Sequence, residues 1–211
     1  MRKIILLTIG IIVFNYSFTQ QRAITERGKE VVLYDDGSWG YLYEEDNLHN
    51  EIPTNSRVFK KNDKATFLVK SNRVPFGFYI DPKKWEFSNS NDNPDVEYMF
   101  QLRSDDLYAM VITEKIEVPL TTLKSIALEN GRKMAPDLRI VDEEYRLVND
   151  TKILLLHMEG TLQGIKATYY GYYFSNKNGT VQFVTFTAQN LFPDLKDASE
   201  YLLNGLIIIE E

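Results

Sequence analysis

The chain has no cysteine and only two histidines among its 211 residues. The first absence excludes disulfides, thiolate metal sites, cysteine nucleophiles and thiol switches. The second leaves little for histidine chemistry. His49 falls in a polar, acidic stretch, and His157 lies in an apolar run, ILLLHMEG. No Gly-x-Ser-x-Gly elbow, no His-Glu-x-x-His pair and no glycine-rich phosphate loop occurs. Basic clusters are also missing. With 24 Lys and Arg against 30 Asp and Glu, the net charge is −6. Such a chain is a poor ligand for polyanions: nucleic acid is not an expected partner, and anionic membrane surfaces rank low. No apolar run approaches the roughly 20 residues of a membrane-spanning helix.

What is present is ordinary globular material: 44% hydrophobic, 13% aromatic and 26% charged residues. The length suits one good-sized domain with a small appendage. The start, MRKIILLTIGIIVFNYSFTQQ, has a basic pair (Arg2, Lys3), an apolar run over residues 4–14, and Ser17 and Thr19 at −3 and −1. It reads as a secretory signal peptide over residues 1–19. The alternative is a buried N-terminal helix or strand. Removing two of the 24 basic residues and none of the 30 acidic ones leaves −8. With no cysteine to acylate, the expectation is a periplasmic or extracellular protein that is not a lipoprotein and does not insert in the membrane after cleavage.

Residues 20–43 read as a β-hairpin module. Two runs of β-formers flank Asp35-Asp36-Gly37-Ser38, and Asp-Gly supplies the positive φ angles of a tight turn. Adjacent Asp35 and Asp36 point to opposite faces of an extended chain, so the turn explains them better than a metal or acid–base pair. Residues 44–59, polar and acidic with one proline, read as a linker. The main domain then covers residues 60–211. In it, VPFGFYIDPKKWEFS (residues 74–88) turns at Asp81-Pro82 and sets Trp85 and Phe87 on one strand face. Tyr98, Phe100 and Leu102 alternate on the next strand. Helical spacing marks two segments, about residues 121–134 and 194–203. The first carries Leu120, Leu123, Ile126 and Ala127, with Thr121 as a cap. The second carries Leu195, Ala198 and Leu202, with Asp194 as a cap. Between them two hairpins turn at Asn149-Asp150 and Asn178-Gly179. Runs of strands with two isolated helices predict an α+β fold, with a mainly antiparallel sheet and helices on its faces.

The order of these elements, from VPFGFYIDPKKWEF to the closing NLFPDLKDASEYLLNGLIII, resembles the PsbP-like and DcrB-like domains over about residues 62–209. The resemblance implies an α/β/α sandwich with a central antiparallel sheet. It also implies a mostly non-enzymatic company of extrinsic photosystem subunits, a Ran-binding import factor, envelope proteins and secretion chaperones. AITERGKEVVLYDDGSWGYL (residues 23–42) is similar to a short hairpin module of secreted proteins of Bacteroidetes type.

The candidate binding surface is TYYGYYF, residues 168–174. Alternation sets Tyr169 and Tyr173 on one face with Gly171 between them, where a glycine lets a ligand or peptide approach. The competing expectation is that helices cover both faces of this strand. Trp39 and Tyr41 of the hairpin complete the candidate surface, which could also dock edge-to-edge. Asn91, Asn93 and Asp95 imitate the start of a calcium loop, but Val96 and Leu102 stand where such a loop needs Gly and Glu. His157 shares a face with Ile153 and Leu155 and reads as a half-buried strand histidine rather than a catalytic base. No catalytic, cofactor or metal residue is assigned and no cofactor is expected. The functional expectation is a non-enzymatic accessory protein of the bacterial envelope with an envelope or secreted protein partner. The alternative is a hydrolase of an envelope polymer acting through carboxylates.

Overall fold

A computed structural model describes residues 21–24, 30–33, 39–41, 52–90 and 93–209. The chain divides into two units, residues 1–48 and 49–211. In the first, β1 (Gln21–Ile24), β2 (Glu30–Leu33) and β3 (Trp39–Tyr41) form a three-stranded antiparallel sheet with β2 in the middle. The expected hairpin is β2–β3, and β1 extends it to a sheet. The Asp35-Asp36-Gly37-Ser38 turn and the signal-peptide segment lie outside the described residues.

The second unit holds an eight-stranded sheet. Its strands are β4 (Thr54–Phe59), β7 (Trp85–Asn89), β8 (Val96–Leu102), β9 (Tyr108–Glu114), β10 (Arg139–Val148), β11 (Thr151–Leu162), β12 (Ile165–Asn176) and β13 (Gly179–Ala188). Their order is β4-β10-β11-β12-β13-β9-β8-β7, antiparallel throughout except where β4 runs parallel to β10. A second sheet, of order β14-β6-β5, comprises β5 (Phe67–Lys70), β6 (Phe76–Ile80) and β14 (Leu206–Ile208). The helices are α1 (Leu120–Arg132) and α2 (Phe192–Leu203). The second unit is thus the expected α+β sandwich.

Local chemistry explains the meander. Asn149 and Asp150 adopt φ of 45° and 65°, the left-handed pair that a two-residue hairpin turn needs and that Asn and Asp tolerate best. The Asn149 side chain donates to the carbonyls of Asn204 (2.8 Å) and Leu206 (2.9 Å), tying this turn to the C-terminal strand. Between β12 and β13, Gly179 sits at φ 141°, and a Cβ there would lie 2.5 Å from the Glu114 carbonyl. Only glycine fits that position.

Two apolar clusters define the layers. One face of the large sheet contributes Leu154, Leu156, Tyr173 and Val184 to a cluster with Leu123, Ala127 and Leu128 of α1. The other contributes Phe100, Tyr170, Tyr172 and Phe183 to a larger cluster with Phe76 and Phe78 of the small sheet and Leu195 and Leu202 of α2. The Asp81 turn feeds this second cluster. Asp81 accepts the Lys83 N–H on its side chain (2.9 Å) and the Trp85 N–H on its carbonyl (2.9 Å). That sets Trp85, only 2% exposed, into the core. Burying a ring of roughly 200 Å² is worth about 5 kcal/mol as an upper estimate.

The structure departs from expectation at three places. Residues 54–59, expected to end a linker, form β4. Their polar composition hides a strand that gains its partner only when β10 arrives. Helix α1 turns Leu123, Lys124, Ala127 and Leu128 inward, leaving Ile126 36% and Met134 66% exposed. The buried Lys124 is accommodated because both carboxylate oxygens of Glu143 on β10 meet its ammonium, at 2.7 and 2.6 Å. Finally, neither Thr121 nor Asp194 caps its helix: Pro119 and Leu191 hold the cap positions without side-chain bonds.

Candidate functional site

A single helix about 10 Å across cannot cover eight strands spaced about 4.8 Å apart. Helix α1 lies over the middle of its face and hides Tyr173, which is 1% exposed. Gly171 is buried beside it. A Cβ on Gly171 would stand 2.8 Å from Val184 Cγ2 and 3.1 Å from the Phe183 carbonyl. The glycine therefore admits the neighbouring strand β13, not a ligand. This corrects the expectation of an open tyrosine–glycine surface at Tyr173 and Gly171: the helix-covered alternative holds there. Trp39 and Tyr41 lie in β3, opposite Leu33 and Val31.

Tyr169 is different. It pairs with Phe186 on β13, which pairs with Tyr108 on β9. The three rings form a row across the sheet, with centroids 6.2 Å apart for Tyr169–Phe186 and 5.7 Å apart, stacked, for Phe186–Tyr108. All three are half-buried, as are Met110 beside Val184 and Met99 beside Met110. The result is an aromatic and methionine surface flanking α1. Partial burial alone pushes the Tyr169 hydroxyl above its ordinary pKa. The period of two in VQFVTFTA signals Phe186. Tyr108 and Met110 carry no such signal because the β9 sequence, YAMVITE, is apolar on both faces, and Met99 shares its face of β8 with the polar Glu97 and Gln101.

On the opposite face, Arg146 organises a buried polar cluster. Its Nε donates to Glu144 Oε1, and its Nη1 donates to Glu200 Oε1 on α2 (3.1 Å) and to the Tyr172 hydroxyl (3.2 Å). The Tyr170 hydroxyl donates to the same Glu200 oxygen at 2.7 Å, and the Tyr172 hydroxyl to Asn204 Oδ1 at 2.8 Å. The guanidinium also lies over the Phe59 ring, 4.3 Å from its centroid. Burial disfavours the charge of Arg146, but Tyr172, Tyr170 and Glu144 outweigh it and hold the guanidinium firmly protonated. Burial pushes the Tyr172 hydroxyl up to about 12.

His157 lies next to this cluster, its ring 4.8 Å from that of Phe192 and 5.7 Å from that of Tyr170. Its buried Nε2 has no hydrogen-bond partner among the described residues, and Glu159 Oε1 stands 4.0 Å away. Burial lowers its pKa, against the pull of Glu159 and Asp142. No nucleophile adjoins it in these contacts.

A cleft of about 570 Å³ opens between the first turns of α2 and the start of β7. Its rims carry Lys84 and Arg103 on one side and Asp194 and Asp197 on the other, over Trp85. These cations are already engaged. Arg103 pairs with Glu86 at 2.9 Å, and the Lys84 ammonium stands 5.5 Å from the ring centroid of Tyr201. Of the calcium-loop imitation, Asn91 lies outside the described residues, while Asn93 Oδ1 accepts the Asp95 N–H at 3.0 Å. Among the described residues no group of three or more acidic or histidine side chains could hold a metal ion, and no helix is long and apolar enough to cross a membrane.

No protein-family model matches the chain, and no curated protein matches it. Among solved structures, the cyanobacterial PsbP (CyanoP) of Synechocystis aligns at 12% identity with a TM-score of 0.51, covering 67% of this chain and 91% of CyanoP. A Pseudomonas aeruginosa protein of unknown function aligns at 10% identity and 0.44, covering 69% and 98%. LpqN of Mycobacterium tuberculosis, involved in cell envelope biogenesis, aligns at 12% identity and 0.36, covering 72% and 82%. The likeness to CyanoP establishes a PsbP-like fold and, at that identity, nothing finer.

Proposed function

We propose that the chain is a secreted, non-enzymatic accessory protein of a bacterial envelope that binds a protein partner through the Tyr169–Phe186–Tyr108 side of its large sheet. The carrying observation is the partly buried aromatic row with Met99 and Met110 beside it, at the margin of the α1 cluster. Aromatic and methionine side chains are the types enriched at protein interfaces, where they bury large areas at low ordering cost. The basic and apolar start of the sequence supports secretion. A hydrolase, the other expectation, needs two carboxyls about 5–9 Å apart across a cleft. Glu144 and Glu200 do converge, but on Arg146 rather than on open space.

The test is affinity purification of the chain from its native envelope, with wild type and a Tyr108→Ala/Phe186→Ala variant side by side and folding checked by thermal melting. A stoichiometric partner kept by wild type and lost by the variant supports the reading. A partner retained equally by both overturns the assignment to this surface.

A further inference from the structure

On one side of the sandwich each sheet of the second unit ends in a strand with no further partner strand among the described residues. β7 closes the large sheet and β5 the small one. Phe67 of β5 and Phe87 of β7 bridge this side, with ring centroids 5.7 Å apart. They are nonetheless 46% and 41% exposed.

The backbone of β7 shows which groups are free. Lys84 accepts the Arg103 N–H at 2.9 Å and the Ser90 N–H donates to Glu97 at 3.3 Å. The antiparallel ladder therefore turns residues 84, 86, 88 and 90 toward β8, and residues 85, 87 and 89 outward. The Trp85 N–H is taken by Asp81. The backbone N–H and carbonyl of Phe87 and Asn89 have no bonded partner among the described residues. An edge of this kind is normally blunted by a proline, a bulge or an inward charge. β7, WEFSN, has no proline, bulge or inward charge: the side chains of Trp85, Phe87 and Asn89 share one face, with only Trp85 buried, and the one charge, Glu86, lies on the other face paired with Arg103 of its own chain at 2.9 Å.

We propose that two copies of the chain associate through β7, antiparallel about a two-fold axis at Phe87, joining their large sheets into one. The sequence of the edge is self-complementary in that register. Each Phe87 N–H meets the partner copy's Phe87 carbonyl, and each Asn89 N–H meets the Trp85 carbonyl. The two Phe87 rings lie directly opposite on one face, each backed by its own Phe67, an aromatic cross-strand pair. On the other face Glu86 opposes Ser88 in a close, non-hydrogen-bonded pair, and Lys84 opposes Ser90. No like charges stand directly opposite, and the two Glu86 side chains, diagonal to each other across the axis, are each neutralised by their own Arg103 at 2.9 Å, which matters for a chain of net charge −6. A five-residue edge makes a small interface, so the association is a concentration-dependent equilibrium.

The register predicts opposite signs for two substitutions at one exposed position. Ser88→Glu sets Glu against Glu86 of the partner copy twice per dimer, and Ser88→Lys sets an opposite charge there. The experiment is sedimentation equilibrium of the full chain over a dilution series, after purification from a secreting host. The expected result is a mass that climbs from monomer toward twice that value. Ser88→Glu should raise the dissociation constant roughly tenfold and Ser88→Lys should lower it several-fold. Asn89→Pro, which removes an outward N–H and no bond to β8, should abolish the dimer while the melting curve shows a folded chain. A wild-type monomer at every concentration overturns the proposal. So does a dimer that these three substitutions leave unchanged.

Discussion

Arg146 on β10 and Glu200 on α2 are separated by 54 positions and meet at 3.1 Å. Glu144 and the hydroxyls of Tyr170 and Tyr172 complete the joint. It fixes α2 to the sheet by direction as well as by apolar contact. Two carboxylates share a single buried cation, so the cluster depends on Arg146 more than on either acid.

Arg146→Ala should therefore cost about 3–5 kcal/mol, because it strands two partly buried carboxylates. Glu200→Gln keeps an oxygen for Tyr170 and Arg146 and should cost only about 1 kcal/mol. Urea unfolding of the two variants beside wild type measures both. Equal losses would contradict the central role of the guanidinium.

The pH dependence follows from His157. Burial keeps its folded-state pKa below the ordinary 6.5, ahead of the opposing pull of Glu159 and Asp142. The unfolded chain then takes up this proton first. The stability contributed by neutral His157 is complete above about pH 6.5 and is lost as the pH falls from there through the folded pKa. Urea midpoints should drop between pH 7.5 and pH 5. His157→Gln, which does not titrate, should remove part of that drop. An unchanged slope would assign the effect to other groups.

Gly171→Ala tests what the glycine is for. The new methyl meets Val184 and the Phe183 carbonyl, so about 1–3 kcal/mol of stability should be lost. Capture of a partner through Tyr108 and Phe186 should persist at temperatures where the variant stays folded. A variant of wild-type stability that no longer captures the partner would restore Gly171 to the binding surface.

Much of the fold was legible because local rules and tertiary structure agree. Trp85 follows an Asp-Pro turn and is buried. Tyr98, Phe100 and Leu102 alternate and are 5%, 1% and 4% exposed. Asn149-Asp150 turns the chain where it should. The candidate site was only half legible. Tyr169 and Tyr173 are equivalent in sequence, both tyrosines at period two around Gly171. What separates them is where α1 lies, which no local pattern states.

The sequence by itself determined the alternation of strands, the two helices, the absence of thiol chemistry and the acidic surface. Each of these follows from residue type and spacing along the chain. Tertiary structure alone decided that polar residues 54–59 would join the sheet, that Lys124 would be buried against Glu143, and that Arg146 would gather groups from β10, β12 and α2. It also decided which aromatic residues stay in reach of a partner. The physical reason is that pairing and covering depend on neighbours distant in sequence. A strand gains its bonds, and a buried charge its counter-ion, only when the sheet assembles around them.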